Sequence, residues 1–239
     1  MANQLHSRYV RGSLVFYQDH RHRLVHAIGK DVIQYELTTD VLNATTVDPS
    51  GFTATVVEAG TGTTEFDANN TPGRVGTITP AADENDGGQY QMLGEVVELT
   101  SDQDAYAGIQ WQGADVDQTD LLFGFCITDT TLLGGMTDGV YMESVDGSAT
   151  VSAVTEKDSS ETQSDSLGTL VDATDSFWEM YFDGAASSVY FYIDGSLVAT
   201  HTANIPDDEG LTLSIAVLTG EAVANAVNVA QCRMVVIGR

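Results

Sequence analysis

Residues 177–202 read FWEMYFDGAASSVYFYIDGSLVATHT, and no other stretch limits the possible folds so tightly. Trp178, Met180 and Phe182 alternate with Phe177, Glu179 and Tyr181, the period of a strand with two distinct faces. Asp194-Gly195 sits between two such runs. A two-residue Asp-Gly pair flanked by alternating apolar residues is the strongest local hairpin signal, because both turn positions need positive φ. Asp183-Gly184 opens a second, looser connection. The segment is therefore a three-stranded meander.

Similar short apolar runs recur along the chain between Gly, Asp, Asn and Thr clusters, among them residues 52–57, 105–112, 121–128, 139–144, 211–218 and 223–237. None of the chain holds a sustained 3.6-residue apolar period. Only 221–229, rich in alanine, is ambiguous between a helical turn and a strand. With 239 residues, 23 glycines and 4 prolines, the pattern predicts an all-β sandwich or barrel. Residues 14–18, 24–28 and 31–37 form a separate group of three short strands. Such a group is marginal alone in water, so it must pack on the body, on another subunit or on a different protein. The expected division is a basic N-terminal β arm, residues 1–43, followed by an acidic sandwich, residues 44–239.

Charge sharpens that division. The chain carries −26 overall, yet residues 1–30 hold Arg8, Arg11, Arg21, Arg23 and Lys30 against the single acid Asp19. The first 30 residues are thus +4 and the remainder is −30. An acidic body repels nucleic acid and anionic membranes, so neither is an expected partner. The five arm cations are the candidate partner-binding residues, suited to carboxylates on this chain's own body, on another copy or on another protein. No segment reaches the roughly 18 apolar residues of a membrane span. The N-terminal residues MANQLHSRYVRGS lack an apolar signal core, so synthesis and release in the cytoplasm are expected. Cys126 and Cys232 form no metal-binding pattern and lie in apolar runs, which points to buried free thiols.

The sequence FDG…VYFYIDGSLVAT, preceded by residues 121–128 and Asp138-Gly139-Val140-Tyr141, resembles the central strands of the concanavalin A-like, laminin-G-like jelly-roll superfamily. The resemblance covers roughly residues 90–239. It implies a lectin-like jelly-roll β-sandwich, here with a small N-terminal β-hairpin arm. The order of segments also resembles sandwich proteins encoded beside the coat genes of tailed bacteriophages. That second resemblance implies a capsid decoration or cement protein on the virion surface, a homo-oligomer fixed to the major capsid protein. The superfamily resemblance implies the other function class, a module that binds cell-surface glycans.

Catalytic patterns are wanting. Glycoside hydrolysis needs carboxylates spaced along a strand on one face, and Asp172, Asp175 and Glu179 are irregularly placed around a turn. Histidine is absent from residues 31–200, which removes the usual base for nucleophilic catalysis. The acidic loops at residues 83–88 and around Asp115, Asp117 and Asp120 lack the spacing of a calcium cage. His20 and His22 alternate but are flanked by arginines, which oppose a cation. No enzyme activity, metal or cofactor is expected. Trp111 and Trp178 are the candidate sugar platforms, although the alternation around each suits a core position as well.

Overall fold

The computed structural model describes residues 4–37, 51–57, 63–69 and 71–238. The N-terminal strands are β1 (His6–Val10), β2 (Ser13–Tyr17), β3 (Leu24–Ile28) and β4 (Val32–Glu36). β5 (Phe52–Val57), β6 (Glu65–Ala68), β7 (Gly76–Thr79), β8 (Gly87–Met92), β9 (Asp104–Gly113) and β10 (Thr119–Cys126) follow. Next come β11 (Gly139–Ser144), β12 (Ser152–Lys157), β13 (Ser160–Ser164) and β14 (Ser176–Asp183). The meander finishes with β15 (Ser188–Ile193) and β16 (Ser196–His201), and the chain with β17 (Thr212–Thr219) and β18 (Val227–Ile237).

Two antiparallel sheets make the sandwich. One has seven strands in the order β13-β12-β11-β10-β17-β8-β5. The other runs β16-β15-β14-β9-β18-β7-β6, with β4 paired to the second half of β18. Their inner faces meet in one core that includes Phe66, Trp111, Phe123, Phe125, Trp178, Phe191 and Met234. The meander appears as the sequence requires. β14, β15 and β16 pair in succession, and Asp194 and Gly195 both take positive φ, 49° and 79°. The ambiguous 221–229 segment is not helical; β18 begins at Val227.

The arm is a third layer. β1, β2 and β3 form their own sheet, turned at Arg11-Gly12 with φ of 47° and 78°. Its inner side lays Val15, Leu24 and Ala27 over Tyr106, Tyr181, Val235 and Ile237 on the outer face of the eight-stranded sheet. β14 is consequently buried on both sides, which explains why its outward residues Tyr181 and Glu179 are aromatic or unusual rather than generically polar. β4, expected in the arm, belongs instead to the sandwich sheet, where Val32–Glu36 pairs with residues 233–237. The arm sheet therefore ends at Ile28, while the expected boundary at residue 43 lies outside the described residues.

At the centre of this junction is the fully buried Glu179. Arg23 Nε donates to its Oε1 at 2.7 Å, and Arg23 Nη2 donates to Oε2. Tyr106 Oη donates to Oε1 at 3.1 Å, and His20 Nε2 lies 3.2 Å from Oε2. Gly108 makes room for this cluster, since a Cβ there would fall 2.5 Å from Tyr106 Oη. Burial pushes the Glu179 carboxyl up, but Arg23 and His20 outweigh it and hold the group below its usual range. Removing one member of a buried pair strands the other charge. Glu179→Ala is expected to cost about 3–5 kcal/mol in urea unfolding at pH 7, whereas the exposed Asp31→Ala is expected to change stability little.

Candidate functional site

The sequence-predicted residues separate into three groups. Arg11 and Arg23 dock the arm on its own body: Arg11 Nε donates to Asp104 Oδ1 at 2.9 Å and Nη2 to the Ser101 carbonyl at 2.7 Å. Arg21 Nε donates to His22 Nε2 at 3.0 Å, which places the neutral ring's proton on Nδ1, 2.6 Å from Tyr192 Oη. Arg8 faces inward beside Tyr17, and Lys30 extends into solvent near Asp31. His20 stacks on Tyr192 and His22 on Tyr181, at 4.0 and 4.4 Å between centroids, so the two rings are spoken for by aromatic neighbours. Burial, then Arg21 and Arg8, lowers the His22 pKa to about 4. Among the described residues no group of three metal-ligating side chains converges.

Trp111 and Trp178 are not platforms. They meet edge to face at 4.8 Å inside the sandwich and are 3% and 1% exposed. Their strand positions carry them toward the opposite sheet, where no sugar reaches. Trp178→Ala should therefore act on folding, costing about 3–5 kcal/mol by thermal or urea melting, with no selective loss of binding. Cys126 and Cys232 are buried and unpaired, and burial pushes both thiols far up the scale.

The outer face of the seven-stranded sheet is half closed. Residues 127–137 fold across it as a loop, pinned by Gln89 and Gln91. Gln89 Nε2 donates to the Thr130 carbonyl at 2.7 Å, and Gln91 Nε2 to the Ile127 carbonyl at 2.9 Å. Leu132 and Met136 from the loop then pack on Leu122, Tyr141, Val154 and Ala216. A cleft of about 430 Å³ remains on one side, between β5, the end of β8 and Thr128–Thr130. Carboxylates crowd the other side. Burial first, then Glu161, Asp120, Asp165 and Glu156, pushes the Glu143 carboxyl up to about 7.

That cluster opposes folding at neutral pH. The folded-state pKa of Glu143 lies above its ordinary 4.5, so between pH 4.5 and 7 the native chain holds more protons than the unfolded one. Stability from this group is complete below 4.5 and is lost as pH rises to about 7. Glu143→Gln is expected to raise stability at pH 8 by up to about 3 kcal/mol and to change it little at pH 4.5. Melting at both pH values checks it.

The outer face of the eight-stranded sheet presents a different surface where the arm leaves it uncovered. Register places Phe177, Gln110 and Gln231 in one row across β14, β9 and β18. Gln112, Asn228 and Thr77 form the next row, across β9, β18 and β7. Two adjoining clefts result. One, of about 290 Å³, is lined by Asn69, Thr71–Arg74, Gln112, Asp175 and Asn228. The other, of about 250 Å³, runs along Gln110, Phe177, Gln231 and Arg233 to Arg23 at the edge of the arm. Gln110 Nε2 reaches Asp175 Oδ2 at 3.4 Å between them, and Arg74 Nη2 donates to Asp175 Oδ1 at 2.5 Å. Asn69 Nδ2 donates to Thr77 Oγ1 and to Asn228 Oδ1, which fixes the Asn228 amide with its NH₂ unengaged among the described residues. Gln112 is likewise oriented by donation to the Ala173 carbonyl at 2.6 Å. Sequence reasoning passed over these residues because each is an ordinary outward polar position on its own strand. The signal available was the repeated Gln in IQWQ (109–112) facing Asn228 and Gln231 once the strands pair.

No family model matches the chain, and neither does any curated protein sequence. Solved structures do. An endo-1,3-beta-glucanase from Streptomyces sioyaensis superposes with a TM-score of 0.59 at 14% identity, over 90% of this chain and all of its own length. The potassium-bound Emp46p carbohydrate recognition domain gives 0.57 at 10% identity, over 84% of this chain and 95% of that one. Arcelin-5, a lectin-like defense protein from Phaseolus vulgaris, gives 0.59 at 4% identity, over 87% and 100%. With two large antiparallel sheets in this arrangement, the chain has the concanavalin A-like jelly-roll fold of those solved structures.

Proposed function

We propose that this chain is a non-catalytic, lectin-like module that binds a neutral carbohydrate in the amide-lined groove on the outer face of its eight-stranded sheet. The observation that carries the reading is the groove's composition. Gln110, Gln112, Asn228, Thr77 and the Arg74–Asp175 pair are held by hydrogen bonds to one another and to backbone, beside the apolar wall of Phe177. Planar amides and a carboxylate–guanidinium pair offer paired donors and acceptors to vicinal hydroxyls, and their fixed orientation limits the entropy lost on binding. The solved structures with this fold include proteins described as carbohydrate recognition and lectin-like, and the glucanase acts on a sugar polymer as its name states. A net charge of −26 favours a neutral glycan over an anionic one.

A virion decoration role, with the arm fixed to a major capsid protein, is the second reading. It draws on the arm's basic charge, but Arg11 and Arg23 are already engaged within the chain and Arg21 is tied to His22. What favours it still is the arm's uncovered outer side, where Tyr9 is 75% exposed. Display on a particle and glycan binding are compatible.

Screening the chain against immobilised neutral oligosaccharides, followed by calorimetric titration of the best ligand, tests the first reading. Asn228→Ala and Gln112→Ala are each expected to weaken binding about 10-fold, roughly 1.4 kcal/mol, with melting temperature lowered by no more than about 2–4 °C. Glu143→Gln is expected to leave affinity intact. A blank screen, or release of reducing sugar from the bound oligosaccharide, overturns it.

A further inference from the structure

β18 carries one extra residue, and that residue decides what its outer face presents. Asn228 and Gln231 are three positions apart, so a regular strand would turn them to opposite faces of the sheet. A bulge between Val229 and Gln231 takes up the odd residue. Beyond it Gln231 lies opposite Gln110, while Asn228 before it lies opposite Gln112. Val229 and Cys232 both stay in the core on either side of the bulge. The outer face therefore shows one arrangement twice. Gln112 and Asn228 form a cross-strand amide pair, with the Arg74 guanidinium lining the same cleft. Gln110 and Gln231 form a second pair, with Arg233 lining that cleft and donating to the Gln231 amide oxygen. Gln110 and Gln112 are two residues apart on β9, so the pairs repeat at about 6.8 Å, the scale of one hexose residue. Gln110 and Asp175, in contact at 3.4 Å, join the two clefts.

We propose that the groove takes a linear, repeating neutral glycan, with successive sugar residues on the two amide pairs. Given the groove's reading as a carbohydrate site, on which this depends, the ligand is a chain rather than a single terminal sugar. Donors and acceptors repeated at a fixed spacing suit a ligand that repeats its hydroxyls. The second contact is then made without a second loss of translational freedom. Volume agrees. The clefts, about 290 and about 250 Å³, each fall below the roughly 300–1,000 Å³ of ligand pockets, and the two in line fall within it. The arm ends the run, since Gln18, Asp19 and Arg23 line the second cleft beside Phe177.

Calorimetric titration of the full chain with linear gluco-, manno- and xylo-oligosaccharides, from monosaccharide to hexasaccharide, tests it. In the series that binds, affinity is expected to rise about 10-fold or more from the monosaccharide to the length that fills both clefts, and to level off beyond. Gln231→Ala and Asn228→Ala, one in each pair, are each expected to remove that rise, with melting temperature lowered by no more than about 2–4 °C. A monosaccharide that binds as tightly as its longer homologues overturns the inference and leaves a single-sugar site in the groove. So does a length profile that neither variant changes. Absence of binding at every length in all three series overturns the carbohydrate reading itself, and this inference with it.

Discussion

A carboxylate without access to water sits between two sheets, and the docking of the arm on the eight-stranded sheet depends on how it is neutralised. Glu179 points away from the sandwich core, into what would be solvent on a two-layer jelly roll. Arg23, His20 and Tyr106 satisfy it from the arm and from the neighbouring strand. A charge buried this way stays affordable only while its partners remain in place, so the arm is bound to the sandwich as a layer and not as a tether. Arg11 on Asp104 makes a second such tie at the other end of the arm sheet, and Tyr181 shares the same carboxylate.

That arrangement divides the molecule's outer faces into covered and open halves. On the eight-stranded sheet the arm seals the half around Tyr106 and Tyr181, leaving the amide rows of β9 and β18 open beside it. On the seven-stranded sheet the loop over Gln89 and Gln91 closes one half, and the other is crowded with carboxylates, where burial and then the neighbouring acids push the Glu143 carboxyl up to about 7. The two faces respond oppositely to acid. His22, with its pKa lowered to about 4, and Glu179, held below its usual range, both lose their contribution as pH falls, whereas protonating Glu143 relieves the acidic face. The His22 contribution is lost between about pH 6.5 and 4 while relief at Glu143 is gained between about 7 and 4.5, so the two oppose each other through the mildly acidic range.

Much of the sandwich was legible in the sequence. The alternation of β14 and the Asp194-Gly195 turn are local properties, and they appear in the structure as the pattern dictates. Other elements were hidden because what makes them is not local. β13 reads as a polar Ser/Thr loop and becomes a strand through pairing with β12, while the Arg11-Gly12 turn lacks the common Asn-Gly or Asp-Gly signature. The segregation of basic residues was plain, but Arg23 finds its partner 156 residues away, a separation that no pattern in the chain announces. The two tryptophans attract attention by rarity, yet alternation carries both inward. The groove proposed in their place is built from common amides whose alignment depends on the β9–β18 register.

Native-state hydrogen exchange tests most directly whether the arm is a structural layer of the sandwich. If Glu179 and the apolar contacts bind the layers into one cooperative unit, amides of Leu24–Ile28 exchange with the same opening free energy as those of β9 and β14, and all three fall together in Glu179→Ala. Exchange of the arm amides through a low-energy opening, with β9 and β14 still fully protected, would contradict the account and restore the arm to the role of a detachable tether.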